Sequence, residues 1–248
     1  MIQFGLVLVS LVSATPVEFY NQGNEAYEAA DYEHALMLYD SAAVRLSNAY
    51  LYYNRGNTYF KLGEIGRAIA DYLKAYVLDP YDSDIAFNLS FARAYRPDKA
   101  LKLQNPLVKF LTRFLRFLPL ATVRMLTGVL FFLAIAALAM HFKGPSRFWI
   151  WIAIGLGIVC LWTSASWLSW SEVASPKRAV IVVPELFLRS GPGESHKILV
   201  IVHDGLEVTI RGRRGQYLLL QVPGGQGGWA PAGSVEQVFQ KAKTRYTK

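Results

Sequence analysis

The chain has a single cysteine in 248 residues, Cys160, so no intramolecular disulfide can form. That thiol lies in an apolar run and reads as small apolar filling. Four histidines, His34, His141, His196 and His203, fall in three separate regions, and none stands at metal-ligand spacing from a cysteine. No phosphate-cradling loop is present. The glycine-rich PGGQGG at 223–228 connects one strand-like run to another and supplies no helix N-terminus for an anion. Position nominates no Ser–His–Asp or Cys–His set. We therefore expect no metal, no cofactor and no enzymatic activity. Charge is scarce too, at 18% against 53% hydrophobic residues. Between Asp98 and Glu172 there is no acidic residue at all.

The charge that exists is unevenly placed. Residues 16–98 carry 7 Lys/Arg against 12 Asp/Glu, residues 99–178 carry 10 against 1, and residues 179–248 carry 9 against 5. The basic excess belongs to the greasiest part, as for cations flanking membrane segments. A nucleic-acid surface needs a basic stripe on a soluble face, and neither outer part has one. No nucleic-acid partner is expected.

The first residues, MIQFGLVLVSLVSA, contain an apolar run too short to span a bilayer. Small residues at 12–14 give the cleavage pattern of a secretory leader over residues 1–14, although the run has no basic start. A segment that packs on the following domain is the alternative.

Residues 21–47 and 54–80 repeat at a spacing of 33: Asn21 with Asn54, Gly23 with Gly56, Asn24 with Asn57, Ala35 with Ala68, Tyr39 with Tyr72, Ala42 with Ala75. Such a period with two helix-like segments per unit marks a helical solenoid. Tyr52, Gly56 and Tyr59 share one helix face, and Gly63 interrupts as a capping glycine. Ala68, Tyr72 and Ala75 share the next face, and Pro80 ends the unit. In the first unit the loop is Ala29-Ala30-Asp31, without glycine. A partial third unit begins at Ile85 and stops at Arg96-Pro97, as a capping helix would.

These residues resemble the tetratricopeptide repeat, over residues 16–98. The resemblance implies a short superhelix whose concave face is lined by first-helix positions: Tyr20, Asn24 and Tyr27, then Tyr53, Asn57 and Phe60, then Phe87 and Phe91. Aromatics there suit a groove for a peptide or a partner helix, offering contact area at low entropic cost. Some of these side chains could instead pack between repeats. A clamp for a C-terminal carboxylate is not expected, because its cationic places hold Tyr20, Asp84 and Asn88.

Residues 106–118, PLVKFLTRFLRFL, set Lys109, Arg113 and Arg116 against a phenylalanine-rich side. This is a basic amphipathic helix suited to an anionic membrane surface, with Lys109, Arg113 and Arg116 meeting headgroups. Two long uncharged runs follow, read as transmembrane helices over 120–142 and 148–171. Tryptophans mark the ends of the second, and Gly155 and Gly157 would permit close helix approach. Together they form a helical hairpin, so the repeats and the C-terminal part share one compartment. The positive-inside count favours the cytoplasm, and the leader favours the opposite side.

Residues 179–238 contain short β-type runs at 179–183, 198–202, 207–210 and 217–222, separated by glycine-rich turns. With Arg189-Ser190-Gly191-Pro192-Gly193, Gly205 and Gly228-Trp229, the segment resembles a bacterial SH3-like (SH3b) barrel, although Tyr217 stands where tryptophan is usual. Trp229 is read as barrel core, with a ligand platform as the alternative. SH3b domains usually lie outside the cytoplasmic membrane and often bind peptide or cell-wall material.

The expected fold is thus a multidomain membrane protein: an α-helical tetratricopeptide-repeat solenoid, a two-helix transmembrane hairpin and a small all-β SH3-like barrel. This order resembles the BatE-type proteins of bacterial aerotolerance (Bat) operons. The resemblance implies von Willebrand factor A-type membrane proteins and a MoxR-type ATPase as partners, in an envelope complex linked to stress tolerance. The expected role is a membrane-anchored interaction scaffold of the bacterial inner membrane, with both folded parts periplasmic and a cytoplasmic placement as the alternative. A cell-wall or peptide sensor acting through the SH3b domain is the competing function.

Overall fold

The computed structural model describes residues 15–98, 106–144 and 146–239. The expected leader at 1–14 lies outside the described residues. Five helices come first: α1 (Pro16–Glu28), α2 (Tyr32–Ala43), α3 (Ala49–Lys61), α4 (Ile65–Leu78) and α5 (Ser83–Tyr95). Short polar side chains start most of them. Thr15 opens α1 with a capping box to Glu18, Asp31 caps α2, Asn48 caps α3 and Asp82 caps α5. The helices pair α1 with α2 and α3 with α4, and α5 packs on α4.

Both pairs close on a glycine. A Cβ on Gly23 would stand 2.7 Å from the Tyr39 ring, and one on Gly56 would stand 2.8 Å from the Tyr72 ring. The absent side chain is what lets each tyrosine cross its partner helix. The turn inside each pair needs a left-handed residue. Gly63 supplies it in the second unit at φ +80°, and Ala30 is forced into it in the first at φ +59°.

A seven-stranded antiparallel sheet ends the chain: β1 (Arg178–Ile181), β2 (Glu185–Arg189), β3 (Ile198–His203), β4 (Glu207–Arg214), β5 (Tyr217–Gln221), β6 (Gly227–Pro231) and β7 (Val235–Gln237), in the order β3-β2-β6-β5-β4-β1-β7. The four expected β-type runs correspond to β1, β3, β4 and β5. Strands β2, β6 and β7 were not legible as strands. β6, GGWAP, has poor strand composition and is held by a five-residue register against β5.

Helix α4 joins everything. Nine of its residues are buried. One side faces α3. Another shares an apolar cluster with Val180 of β1 and Val238, to which α5 adds Leu89 and Ala92. The sheet, rather than a sixth helix, therefore closes the end of the solenoid. Its polar links are charged: Lys74 Nζ to Glu236 at 2.8 Å, Arg93 Nε to Glu207 at 2.7 Å, and the His203 amide to Asp98 at 2.6 Å. Glu64 does not cap α4 with its side chain; instead both Asp204 oxygens accept from the Gly66 amide at 3.1 Å. The sheet thus caps the helix it packs on.

Between solenoid and sheet lie α6 (Pro106–Leu115), α7 (Leu120–Lys143) and α8 (Arg147–Val173). α6 stops three residues short of the expected 118, because Pro119 biases Leu118 away from helix. α7 and α8 lie side by side, antiparallel, and both are long and apolar enough to cross a membrane. Only 11% and 6% of their most apolar windows is buried, so they are not core helices of this fold. A Cβ added at Gly155 or Gly157 would meet nothing within 4 Å, so neither glycine is needed for a close approach of α7. At one end of the pair, Leu120, Val123, Trp170 and Val173 bury against Val77 of α4.

Candidate functional site

The concave side of the solenoid is built by the first helix of each unit. Residues spaced three and four apart lie on one helix face, so α3 presents Tyr50, Tyr53, Asn57, Phe60 and Lys61 together. α5 presents Phe87, Asn88, Phe91 and Tyr95 in the same way. A cavity of about 310 Å³ opens there, lined by Tyr27, Tyr53, Asn57, Phe60, Lys61, Tyr72, Asn88 and Phe91. Five of the eight expected partner-binding residues therefore line one groove.

The floor is a hydrogen-bonded ladder that repeats with the sequence. The Tyr39 hydroxyl donates to Asn24 Oδ1 at 2.8 Å, and the Tyr72 hydroxyl donates to Asn57 Oδ1 at 2.8 Å. The same two oxygens accept from Asn54 Nδ2 and Asn88 Nδ2, each at 2.9 Å. Those amides also reach back to the hydroxyls of Tyr20 at 3.0 Å and Tyr53 at 3.1 Å. Each rung ties one unit to the next. Burial first, then neighbouring tyrosines, pushes the Tyr39 and Tyr72 phenols above their ordinary range, so both remain donors. Asn24, Asn57 and Tyr20 are thus joints between repeats, and Asn57 is also part of the groove wall. The ladder ends at Phe91, which occupies the third asparagine place; among the described residues no further tyrosine-bearing helix packs there.

Above the floor the groove is aromatic and open. Phe87 stacks on Phe91 with centroids 5.9 Å apart, and Phe91 contacts Phe60 at 5.6 Å and Tyr95 at 5.0 Å. Phe87 and Tyr95, in this ring cluster, are 63% and 60% exposed, and Tyr50, one turn before Tyr53 on α3, is 59% exposed. Tyr50, Lys61, Tyr95, Tyr72 and Asn88 were not among the expected site residues. Helical periodicity from Tyr53 and Phe91 would have found the first three. Tyr72 reaches the groove only because Gly56 lets its ring through.

A charged rivet holds the walls in place. Asp71 is fully buried and takes Arg55 through Nε at 2.5 Å and Nη2 at 2.9 Å, and Lys74 Nζ at 2.8 Å. Arg55 also reaches Asp40 of α2 at 2.8 Å. The network links α2, α3 and α4, and through Lys74 it reaches Glu236 of the sheet.

A second surface lies on the sheet. Trp229 is not in the core. Its neighbours Gly228 and Ala230 point inward, and Trp229 sits half-buried on the opposite face, paired across strands with Arg189 and Leu219. Phe187 and Ile201, paired across β2 and β3, are also exposed. Strict alternation along β6 decides this, and a five-residue glycine- and proline-containing strand did not advertise it.

The expected membrane-surface residues separate. Arg113 is exposed on α6, and Lys109 lies on the same helix. Arg116 lies beyond the helix end. It donates to Ser169 Oγ and to the Ser169 carbonyl, both at 3.0 Å, and stacks over Trp170.

Comparison with known families gives one finding: residues 49–82 match the tetratricopeptide repeat family model. No curated protein matches the chain.

Proposed function

We propose that this protein is a membrane-anchored scaffold that binds a protein partner in the aromatic groove of its helical repeats. The matched repeat supports protein–protein interaction. The observation that carries the reading is the groove itself: exposed Phe87, Phe91 and Tyr95 cluster with Phe60 above a hydrogen-bonded floor. Such a surface fits an amphipathic helix or an extended segment with apolar anchors. α7 and α8 would span the bilayer as a hairpin, and the sheet would be an SH3b domain that braces the solenoid. The resemblance to BatE-type proteins supports a bacterial envelope setting and a role in aerotolerance, and the resemblance to SH3b domains supports a periplasmic placement. The BatE resemblance also supports von Willebrand factor A-type membrane proteins and a MoxR-type ATPase as partners.

The test places a photo-crosslinking amino acid at Phe91 and, separately, at exposed Met37, in the full chain in its native membrane. A discrete partner band from position 91 and none from 37 is the expected result. Equal or absent crosslinking from both positions would sink the groove. A reporter fused after the last residue assigns the compartment.

Trp229 on the outward face of the sheet favours a second reading, a peptide or cell-wall ligand held by the SH3b domain. Trp229→Ala should then abolish retention on wall fragments while leaving the crosslink at 91 unchanged.

A further inference from the structure

α7 and α8 are longer than a bilayer requires. With 24 and 27 residues they run about 36 and 40 Å, against roughly 30 Å of hydrocarbon. The excess lies at the junction end. There Thr163 and Ser166 are fully buried in protein, as are Trp170 and Val123. The last stretch of α8, TSASWLSWSEV, is also serine-rich and carries Glu172. On α7 an exposed cation, Arg124, stands one turn in, and no charged residue follows until Lys143.

Two contacts bring these features to one level. Cys160 Sγ approaches the Thr127 carbonyl at 3.8 Å, so Arg124, three residues nearer the junction, is level with about residue 163 of antiparallel α8. The Phe114 ring of α6 packs on Trp162 with centroids 5.7 Å apart. α6 exposes Leu107, Phe110, Leu111 and Phe114, spaced as one helix face and 46–67% accessible. The corner after α6 is sealed. Ser166 donates to the Leu115 carbonyl at 2.5 Å, Tyr81 to that of Phe117, and Trp170 Nε1 to that of Leu118 at 2.9 Å.

Building on the hairpin reading above, we infer that the bilayer surface crosses α7 near Arg124 and α8 between Trp162 and Ser166, which leaves up to about 29 Å of each helix beyond it. We infer further that α6 rests in the phospholipid headgroup region at that level with Leu107, Phe110, Leu111 and Phe114 inserted. The occupant of this apolar face is the lipid itself, because its end residue Phe114 packs on Trp162 of the apolar α8, with exposed Arg113 on the same helix and exposed Arg124 of α7 at the same level. The sealed corner, including Arg116 on Ser169 and Trp170, stands clear of the hydrocarbon. It couples α6 to the repeats through Tyr81, so the groove is held in a fixed attitude to the membrane.

The test uses the full chain in phosphatidylcholine–phosphatidylglycerol vesicles, with Cys160→Ser and one environment-sensitive fluorophore at Phe110→Cys, Phe114→Cys, Leu133→Cys or Met37→Cys. Doxyl lipids should quench positions 110 and 114 best when the doxyl group is shallow, and 133 best when it is deep, while 37 is unquenched. Water-like emission at 110 and 114 with 133 still quenched overturns the placement of α6 alone. Loss of quenching at 133 overturns the hairpin reading and this inference with it. Phe110→Glu with Phe114→Glu guards against label artefacts. Amide exchange should accelerate in α6 and stay unchanged in α3, and exchange unchanged in α6 would also overturn the inference.

Discussion

The two helix pairs are written in nearly the same residues and sit in different surroundings. Met37 of α2 and Ala70 of α4 occupy the same place 33 residues apart, yet Met37 is 64% exposed and Ala70 is fully buried. Val44 and Val77 repeat the contrast, at 80% and 8%. The sides facing α1 and α3 are the same in both units: Ala35 with Ala68, Tyr39 with Tyr72 and Ala42 with Ala75 are all buried. A repeat motif therefore specifies how its own two helices meet. What covers the outer side of the second helix is decided by whatever the rest of the chain delivers there, here a sheet and the base of a helix pair.

The largest effect that would sharpen this contrast lies at Asp71, whose counterpart in the first unit is Leu38. Asp71→Ala leaves Arg55 and Lys74 without their buried partner and should destabilise the protein by about 3–5 kcal/mol in thermal unfolding. Leu38→Ala affects a site with no such network. A loss at Asp71 no larger than that at Leu38 would show the rivet to be unimportant.

Acid probes the cover of the second unit. Burial pushes the Glu207 carboxyl up, but Arg93 and Arg178 outweigh it and hold it at about 2, below the ordinary 4.5. A depressed carboxylate contributes stability that is present above its unfolded pKa and is lost as pH falls from about 4.5 through about 2. The contribution is on the order of 3 kcal/mol. Amide exchange in β4 and α5 should rise in that window before exchange in α1 and α2 does. Simultaneous loss in both units would mean the cover is not a separate layer. Glu207→Gln should flatten the pH dependence.

Gly23→Ala and Gly56→Ala test the likeness of the pairs. Each new methyl would meet a buried tyrosine ring, and each should cost about 1–3 kcal/mol by chemical denaturation. A marked inequality would show that the pairs are not equivalent even on their inner sides.

The smallest effect is at the turns. Ala30→Gly should stabilise the first unit by about 1 kcal/mol, by relieving a left-handed alanine, and Gly63→Ala should cost a similar amount in the second. Hydrogen exchange at the α1–α2 and α3–α4 turns reads both changes.

Much of this was legible beforehand. The 33-residue period exposed the helix pairs, and uncharged length exposed α7 and α8. Tyr27, Tyr53, Asn57, Phe60 and Phe91 line one cavity, and their common side follows from the periodicity of the first helices. Tyr72 was missed because it belongs to a second helix and reaches the groove over a glycine of the first. Arg116 continued a basic pattern in sequence, but Pro119 ended the helix and turned its guanidinium onto Ser169. Trp229 was read as core because its strand was too short and too rich in glycine and proline for its alternation to be recognised.

The sequence by itself determined the local and periodic features: helix pairs, their glycine contacts, the asparagine–tyrosine ladder positions, the two long apolar helices and the strand-like runs. These depend on spacings of a few residues or on one repeat, and short-range sterics and amphipathicity write them plainly. Only the tertiary structure decided that α4 is the hub, that Asp204 caps it, that Glu207 and Glu236 clasp the repeats, and that the sheet closes the solenoid. Those contacts join residues more than a hundred positions apart. Their partners are ordinary charged and apolar side chains, which carry no mark of whom they will meet until the chain has folded.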